Sequence, residues 1–208
     1  MSTPDGASPD SPRFGEVVEA AIDRVVVQAH RLYGAPPMGA LVRLGGAGQG
    51  AVYGVVAGVA TTALDPTRRV IARGADAATE EEIYREHPQI ERLLRTDAAL
   101  LTVGFDDGGA LRHYLPPLPP RIHAFAYLCA PDEVRRFAAS LDFIGLLAAR
   151  RDPASDDVLA ATLRHAAACF DDPRAFLTRA GRAAAAHASG DAARVAAIVR
   201  RIPTEALD

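Results

Sequence analysis

The feature that most constrains the fold is a series of four β-type segments before residue 62, with no helical pattern between them. The segments are rich in β-branched residues and are joined by short connections that carry Gly or Pro. Parallel strands need long crossover connections, so the short ones predict an antiparallel meander or a small barrel. Gly54 and Gly58 predict bulges within the fourth segment. The four segments cover residues 15–20, 24–30, 38–44 and 51–61.

The next part of the chain alternates between helical and extended patterns. Thr79 precedes three acidic residues that suit the first turn of a helix, and Pro88 is expected to divide this helix into two pieces. Asp-Asp-Gly-Gly at 106–109 predicts a hairpin between strands at 98–105 and 110–115. A last strand is predicted at 122–128.

From Pro131 onwards the pattern is helical and rich in alanine. One apolar face runs from Val134 through Leu141 to Ala148, which predicts a single first helix. The following helices are expected to begin at a Ser155 cap, at the Asp172-Pro173 pair and at Gly190-Asp191, and Pro203 is expected to close the last one.

Together these patterns predict an α+β chain, a small antiparallel β-barrel followed by an α-helical C-terminal region. The barrel domain with its inserted helix covers residues 13–130, and the helical domain covers 131–208. Residues 1–12 are polar, acidic and rich in proline, which predicts a disordered tail.

The stretch RLGGAGQGAVYGVV at 43–56 raises the question of a phosphate-binding loop, because Gly46, Gly48 and Ala51 have the G-x-G-x-x-[GA] spacing. A dinucleotide site needs a helix after the glycines, whereas the residues from Ala51 onwards have a strand pattern. A P-loop needs a lysine, and every basic residue in the sequence is arginine. The glycines are therefore interpreted as a hairpin connection.

The composition limits which binding partners and which cellular compartment are expected. The net charge is -3 and the arginines are interspersed with acids, which disfavours nucleic-acid binding through bulk electrostatics but leaves weaker binding open. No secretory signal pattern or membrane-spanning apolar run is present, so a cytoplasmic protein is expected. Reduced, buried thiols are favoured for Cys129 and Cys169, although their pairing stays open.

No set of residues makes a convincing catalytic or metal site. Cys129 with His123 or His113 is a conceivable nucleophile pair, but a buried structural thiol is the favoured interpretation. His165 and Cys169 are four residues apart and lack a third ligand nearby. Ser140 is interpreted as a packing residue within a helix, and Glu80–Glu82 as helix N-terminal charge. We therefore expect no catalytic residue, bound metal or cofactor.

A resemblance to a known family is carried by short segments at 15–17, 35–42, 52–56, 65–69, 71–74 and 82–90. They resemble the HAS-barrel, the small β-barrel at the N-terminus of HerA-type DNA-translocating ATPases and of ATP synthase subunits. The resemblance covers about residues 13–130, and it implies a barrel that forms part of a ring-shaped crown and that docks a nuclease partner in the translocase. This chain has helices where those families carry an ATPase core, so the resemblance implies docking without ATP hydrolysis.

The sequence thus predicts a non-enzymatic docking protein that binds a protein partner or itself. Arg73, Tyr84 and Arg85 are the candidate docking residues, because such types are enriched in interface hot spots. An equally weighted alternative is that Tyr84 only packs its helix against the barrel. The second functional hypothesis is an accessory factor in DNA processing that binds nucleic acid or an ATPase–nuclease complex. The third is an enzyme with a pocket at the barrel mouth, which would need His123, Cys129 and an acid to cluster.

Overall fold

The structure, a computed structural model, describes residues 11–46, 50–152, 154–188 and 191–202. Most of the predicted tail, residues 1–10, lies outside the described residues, as do Gly48, Gly190 and Pro203. The strands are β1 (Arg13–Ala20), β2 (Arg24–Ala29), β3 (Leu41–Leu44), β4 (Val52–Ala63), β5 (Leu94–Asp107), β6 (Ala110–Arg112) and β7 (Phe125–Leu128). The helices are α1 (Glu80–Glu86), α2 (Ile90–Leu93), α3 (Pro131–Ala138), α4 (Phe143–Ala148), α5 (Ser155–Ala167), α6 (Pro173–His187) and α7 (Ala192–Arg200).

The strands form one antiparallel sheet that closes into a ring. Their order is β2-β1-β7-β3-β4-β5-β6, and β2 also pairs with β5, so β6 lies outside the closed circuit. The α+β class, the β-rich N-terminal part and the helical C-terminal part are therefore confirmed. The ring is not a regular barrel, because β4 and β5 have 12 and 14 residues whereas β3 and β7 have 4 each.

The long strands continue together beyond their other neighbours. β3 pairs with β4 only as far as Val55, and β2 pairs with β5 only over Asp97–Leu101, whereas β4 and β5 remain paired to Ala63 and Leu94. We call residues 58–63 with 94–99 the β4–β5 ribbon. β2 still pairs with residues 97–99 of β5, so only the β4 side lacks a described neighbour over its whole length. The register shifts at Gly54 and at Gly58, as the glycine pattern predicted.

The glycine stretch connects β3 with β4, which are antiparallel neighbours, so its interpretation as a hairpin connection is confirmed. Gly45 and Gly50, which flank the residues that are not described, have φ of 87° and 83°. This left-handed backbone is accessible to glycine at little cost.

The predicted helix starts at Asp172 and Asp191 are confirmed. The Asp172 carboxylate accepts from the Ala175 amide at 2.8 Å, and the Asp191 carboxylate accepts from the Arg194 amide at 2.9 Å. Each aspartate satisfies an amide that the first helical turn leaves without an intrahelical partner.

Two helix predictions are wrong. The first predicted helix is divided into α3 and α4, because Leu141 has a φ of 64°, which a right-handed helix does not accommodate. Ser155 is not the cap of α5 but its first residue, after Ala154, because its hydroxyl donates to the Asp152 carbonyl at 2.8 Å and thereby stabilises the preceding turn.

The hydrophobic core crosses the boundary at residue 131. One buried cluster fills the ring, whereas the other joins Leu41, Tyr53 and Val103 of the sheet to side chains of α3 to α7. The two parts approach closely at Gly39, where a Cβ atom would lie 2.4 Å from the Ala161 carbonyl carbon. The helices are therefore packed directly onto the ring.

A buried ion pair also joins the two parts. Arg43 on β3 is fully buried, and its Nε lies 3.0 Å from Oε1 of Glu133 on α3. The Tyr53 hydroxyl donates to the same carboxylate oxygen at 3.0 Å, and the Tyr127 ring lies 4.6 Å from the Arg43 guanidinium. Burial, together with the Glu133 charge, raises the pKa of Tyr53. Tyr53 therefore remains a neutral donor in this cluster.

Removal of one partner from this ion pair should be strongly destabilising. We expect Arg43→Met and Glu133→Gln each to lower the free energy of unfolding by roughly 3–5 kcal/mol, because each leaves a buried polar group without its partner. Urea unfolding followed by circular dichroism measures the change.

The matched control is Arg112→Met, which removes an exposed arginine that lies 3.5 Å from Asp107. Its cost should stay below about 1 kcal/mol. Equal losses in Arg43→Met and Arg112→Met would show that burial of the Arg43 pair has no special role.

Candidate docking surface

An open groove lies at the tip of the β4–β5 ribbon. It has a volume of about 620 Å³ and lies where α1 and α2 connect the end of β4 with the start of β5. Its lining residues are Tyr33, Ala63, Leu64, Asp65, Arg68, Arg69, Val70, Ile71, Arg73, Glu80, Ile83, Tyr84, Ile90, Leu93 and Leu94. We call this site the tip groove.

Short helices form one wall of the tip groove. The Thr79 hydroxyl caps α1 by accepting from the Glu82 amide at 3.3 Å, and α1 ends at Glu86, just before Pro88. Neither α1 nor α2 contains a fully buried residue. Their apolar side chains, such as Ile83, are therefore only partly covered and face the groove.

Another part of the lining comes from residues 69–74, a segment without regular secondary structure. Val70 and Ile71 within it are 58% and 62% exposed, and Leu64 before it is 50% exposed. Apolar side chains gathered in this way around a concave surface are typical of an interaction site, whereas scattered ones are not.

Two tyrosines meet across the groove. Tyr33 has a φ of 61°, and its amide donates to the Thr96 hydroxyl at 2.9 Å. Its own hydroxyl lies 2.6 Å from that of Tyr84. The hydrogen bond to Tyr33 is the main cause that raises the pKa of Tyr84 to about 12, and partial burial adds to it.

The rim of the groove carries more positive than negative groups. Arg68, Arg69 and Arg73 line it together with Asp65 and Glu80. Arg68 lies 3.4 Å from Asp65, while among the described residues Arg69 and Arg73 form no ion pair. The local surplus contrasts with the net charge of -3 for the chain.

The structure places two of the three predicted docking residues in the groove. Arg73 and Tyr84 line it, whereas Arg85 points elsewhere and pairs with Glu82 at 3.1 Å. The sequence analysis missed Tyr33 and Leu93, because they are far from residue 73 in the chain and only the fold brings them together. The adjacent apolar residues Val70 and Ile71, which lie between Arg69 and Arg73, are a local signal that the sequence analysis did not use.

The favoured interpretation of Cys129 as a buried thiol is confirmed, and the conceivable nucleophile pair of Cys129 with His123 does not form. Both cysteines are free thiols, and Cys129 lines a second cavity of about 340 Å³ together with Cys169 and His165. His123 instead lies at the surface, 2.8 Å from Glu16. Burial raises the pKa of Cys129 well above its ordinary value, so its thiol stays protonated and is a poor nucleophile.

Ser140 is not a packing residue inside a helix, so that prediction is wrong. It lies exposed in the break between α3 and α4, where its hydroxyl accepts from the Asp142 amide at 3.3 Å. The same hydroxyl lies 3.1 Å from Nδ1 of His113, whose Nε2 donates to the Phe137 carbonyl at 3.0 Å. These contacts fix the backbone between α3 and α4 and connect it to His113.

Across residues 11–46, 50–152, 154–188 and 191–202, no cluster of three His, Cys, Asp or Glu residues is suited to a metal ion. No helix in the same ranges has the length and apolarity required to cross a membrane. No protein-family model matches the chain, and no curated protein matches it.

The hydrogen bond between Tyr33 and Tyr84 predicts that the stability of the fold depends on pH in the alkaline range. In Tyr33→Phe, the pKa of Tyr84 should fall from about 12 towards the ordinary value near 10. Because the raised pKa of Tyr84 favours its neutral hydroxyl in the folded protein, the hydrogen bond stabilises the fold fully below about pH 10. This contribution to stability is lost as the pH rises towards 12.

Tyrosinate ultraviolet absorbance measures the ionisation, with Tyr84→Phe as the variant that removes it. A titration curve that is the same in wild type and Tyr33→Phe would contradict the role of the hydroxyl pair.

Proposed function

We propose that this protein is a non-enzymatic docking protein, and that the tip groove binds a protein segment that combines apolar and acidic side chains. The single observation that carries the proposal is the coincidence, in one concave surface, of exposed Val70 and Ile71 with the rim arginines. Apolar burial would supply most of the binding energy, and the arginines would select an acidic partner.

The geometry supports a protein segment more than a small substrate. The groove is lined by large, exposed side chains, including Tyr33, Leu64 and Leu93, and by arginines. Tyr and Arg are frequent hot-spot residues. A tyrosine hydroxyl is neutral near pH 7, so Tyr84 can exchange its hydrogen bond with Tyr33 for one with a partner without carrying a charge.

The proposal also includes the HAS-barrel resemblance. A closed antiparallel ring with a helical insertion between β4 and β5 supports it, because the resemblance implies a small barrel over residues 13–130. In this proposal the ring is the platform for docking, while the helices from Pro131 onwards stabilise it in place of an ATPase core.

A DNA-processing accessory role is the second candidate. The observation that favours it is the row of rim arginines Arg68, Arg69 and Arg73 beside exposed Tyr33, since arginines contact phosphates and aromatic rings stack on bases. Fluorescence anisotropy with single-stranded and duplex oligonucleotides tests it. Binding should weaken steeply with salt and in Arg69→Glu.

The docking proposal predicts binding of an anionic apolar probe in the groove. We expect the fluorescence of anilinonaphthalene sulfonate to increase with the folded wild type, and the increase to fall by at least about fivefold in Ile71→Glu and in Arg73→Glu. The matched control is Arg92→Glu, an exposed arginine of α2 that does not line the groove.

Photo-crosslinking from position 71 in the native host then identifies the partner. The captured protein should contain an apolar segment with acidic residues, and its purified form should bind wild type and Arg92→Glu at least about tenfold more tightly than Arg73→Glu. Equal binding to all three would contradict docking in this groove.

A further inference from the structure

The β4–β5 ribbon has a free edge along β4. β5 pairs with all residues of β4 from Gly58 to Ala63, but β3 ends its pairing at Val55, and no described segment pairs with the other side of β4 beyond Val56. This β4 edge, residues 58–63, meets the tip groove only at Ala63. It therefore forms a surface of its own.

Apart from the register shift at its start, the β4 edge lacks the features that usually prevent strands from pairing with other chains. Monomeric proteins protect such edges with charges, prolines, bulges or a covering element. The segment GVATTA contains no charged residue and no proline, and its register with β5 is regular after the shift at Gly58. Val59 is 46% exposed, and Ala60 and Thr62 are exposed as well.

The other end of the sheet differs. β6 has 3 residues and ends in Arg112, so it is both short and charged. Ring closure removes most of the remaining edges, because each strand of the ring pairs on both sides over part of its length. Of the described strands, β4 thus offers the longest uncharged edge.

We infer that the β4 edge pairs with the β4 edge of a second copy of this chain, antiparallel and around a two-fold axis. Such an axis is perpendicular to the sheet and passes beside Ala60 or Thr61, so each face of the ribbon continues across the dimer. An edge without charges opposes its own copy without like-charge repulsion, and two-fold pairing uses up both edges and closes the assembly.

The charges next to the edge agree with self-pairing. On β5, Asp97 lies opposite Ala60 and Arg95 lies opposite Thr62, and the two form an ion pair at 3.0 Å. Each copy thus brings a neutralised pair to the shared face. A strand of six residues buries less area than a permanent dimer interface needs, so the association is reversible and concentration-dependent.

Sedimentation velocity from about 5 to about 500 µM tests this inference, because weak dimers have micromolar dissociation constants. The wild type should shift from the 21.9 kDa monomer towards twice that mass. Ala60→Lys, which Asp97 accommodates in the monomer, should dimerise at least about tenfold more weakly. Ala110→Lys, the same change on β6, is the matched control and should behave as wild type.

Charge rescue distinguishes this pairing from any other association. Thr62→Glu, which faces Arg95 in the monomer, should also weaken dimerisation. A mixture of Ala60→Lys with Thr62→Glu should form dimers again, because the introduced lysine and the introduced glutamate would lie on the same face of the paired edges. Among residues 58–63, the amides that are not bonded to β5 should exchange more slowly as the concentration of the wild type rises, and should not do so in Ala60→Lys by itself. A wild type that stays monomeric, equal dimerisation by Ala60→Lys, or a mixture without dimers would each overturn the inference.

Discussion

The ion pair between Arg43 and Glu133 is the contact on which the relation of sheet and helices depends. Arg43 lies on β3, one of the two shortest strands of the ring, and Glu133 lies in the first turn of α3. Burying a charge without an oppositely charged partner costs several kcal/mol. A different position of α3 on the ring would separate Glu133 from Arg43, so the ion pair restricts where α3 can lie. The Tyr53 hydroxyl and the Tyr127 ring surround it and belong to β4 and β7. Three neighbouring strands and a helix are thereby joined at one point.

The difference in strand length shapes the opposite end of the long strands. Because β4 and β5 are longer than their neighbours, they leave the ring as a ribbon whose tip carries α1 and α2. The tip is where the ring no longer supplies a core, so apolar side chains of residues 64–71 and of the short helices remain exposed. The tip groove and the β4 edge both arise from this one mismatch in strand length.

The candidate docking surface was partly predictable. Arg73 and Tyr84 belong to a stretch whose residue types suggest an interface, and both line the groove, whereas Arg85 from the same stretch pairs with Glu82 outside it. Tyr33 reaches the groove from the loop after β2, and its left-handed backbone and its contact with Tyr84 have no signal in the local sequence. Ser140 shows the same limit, since a continuous apolar face hid the helix break at Leu141.

Local sequence patterns predict the order of the strands and helices and most of their types, the break between α3 and α4 being the main exception. Some features act only on residues a few positions away, so their effects can be predicted from the sequence. They are the β-branched segments, the two glycines at the register shifts, and the aspartates at the starts of α6 and α7. Only the tertiary structure decided that the sheet closes through β2 and β5, that Arg43 meets Glu133, and which apolar residues stay uncovered. The physical reason is that strand pairing and burial depend on groups distant in sequence, and strand length alone does not tell which neighbour a strand will have.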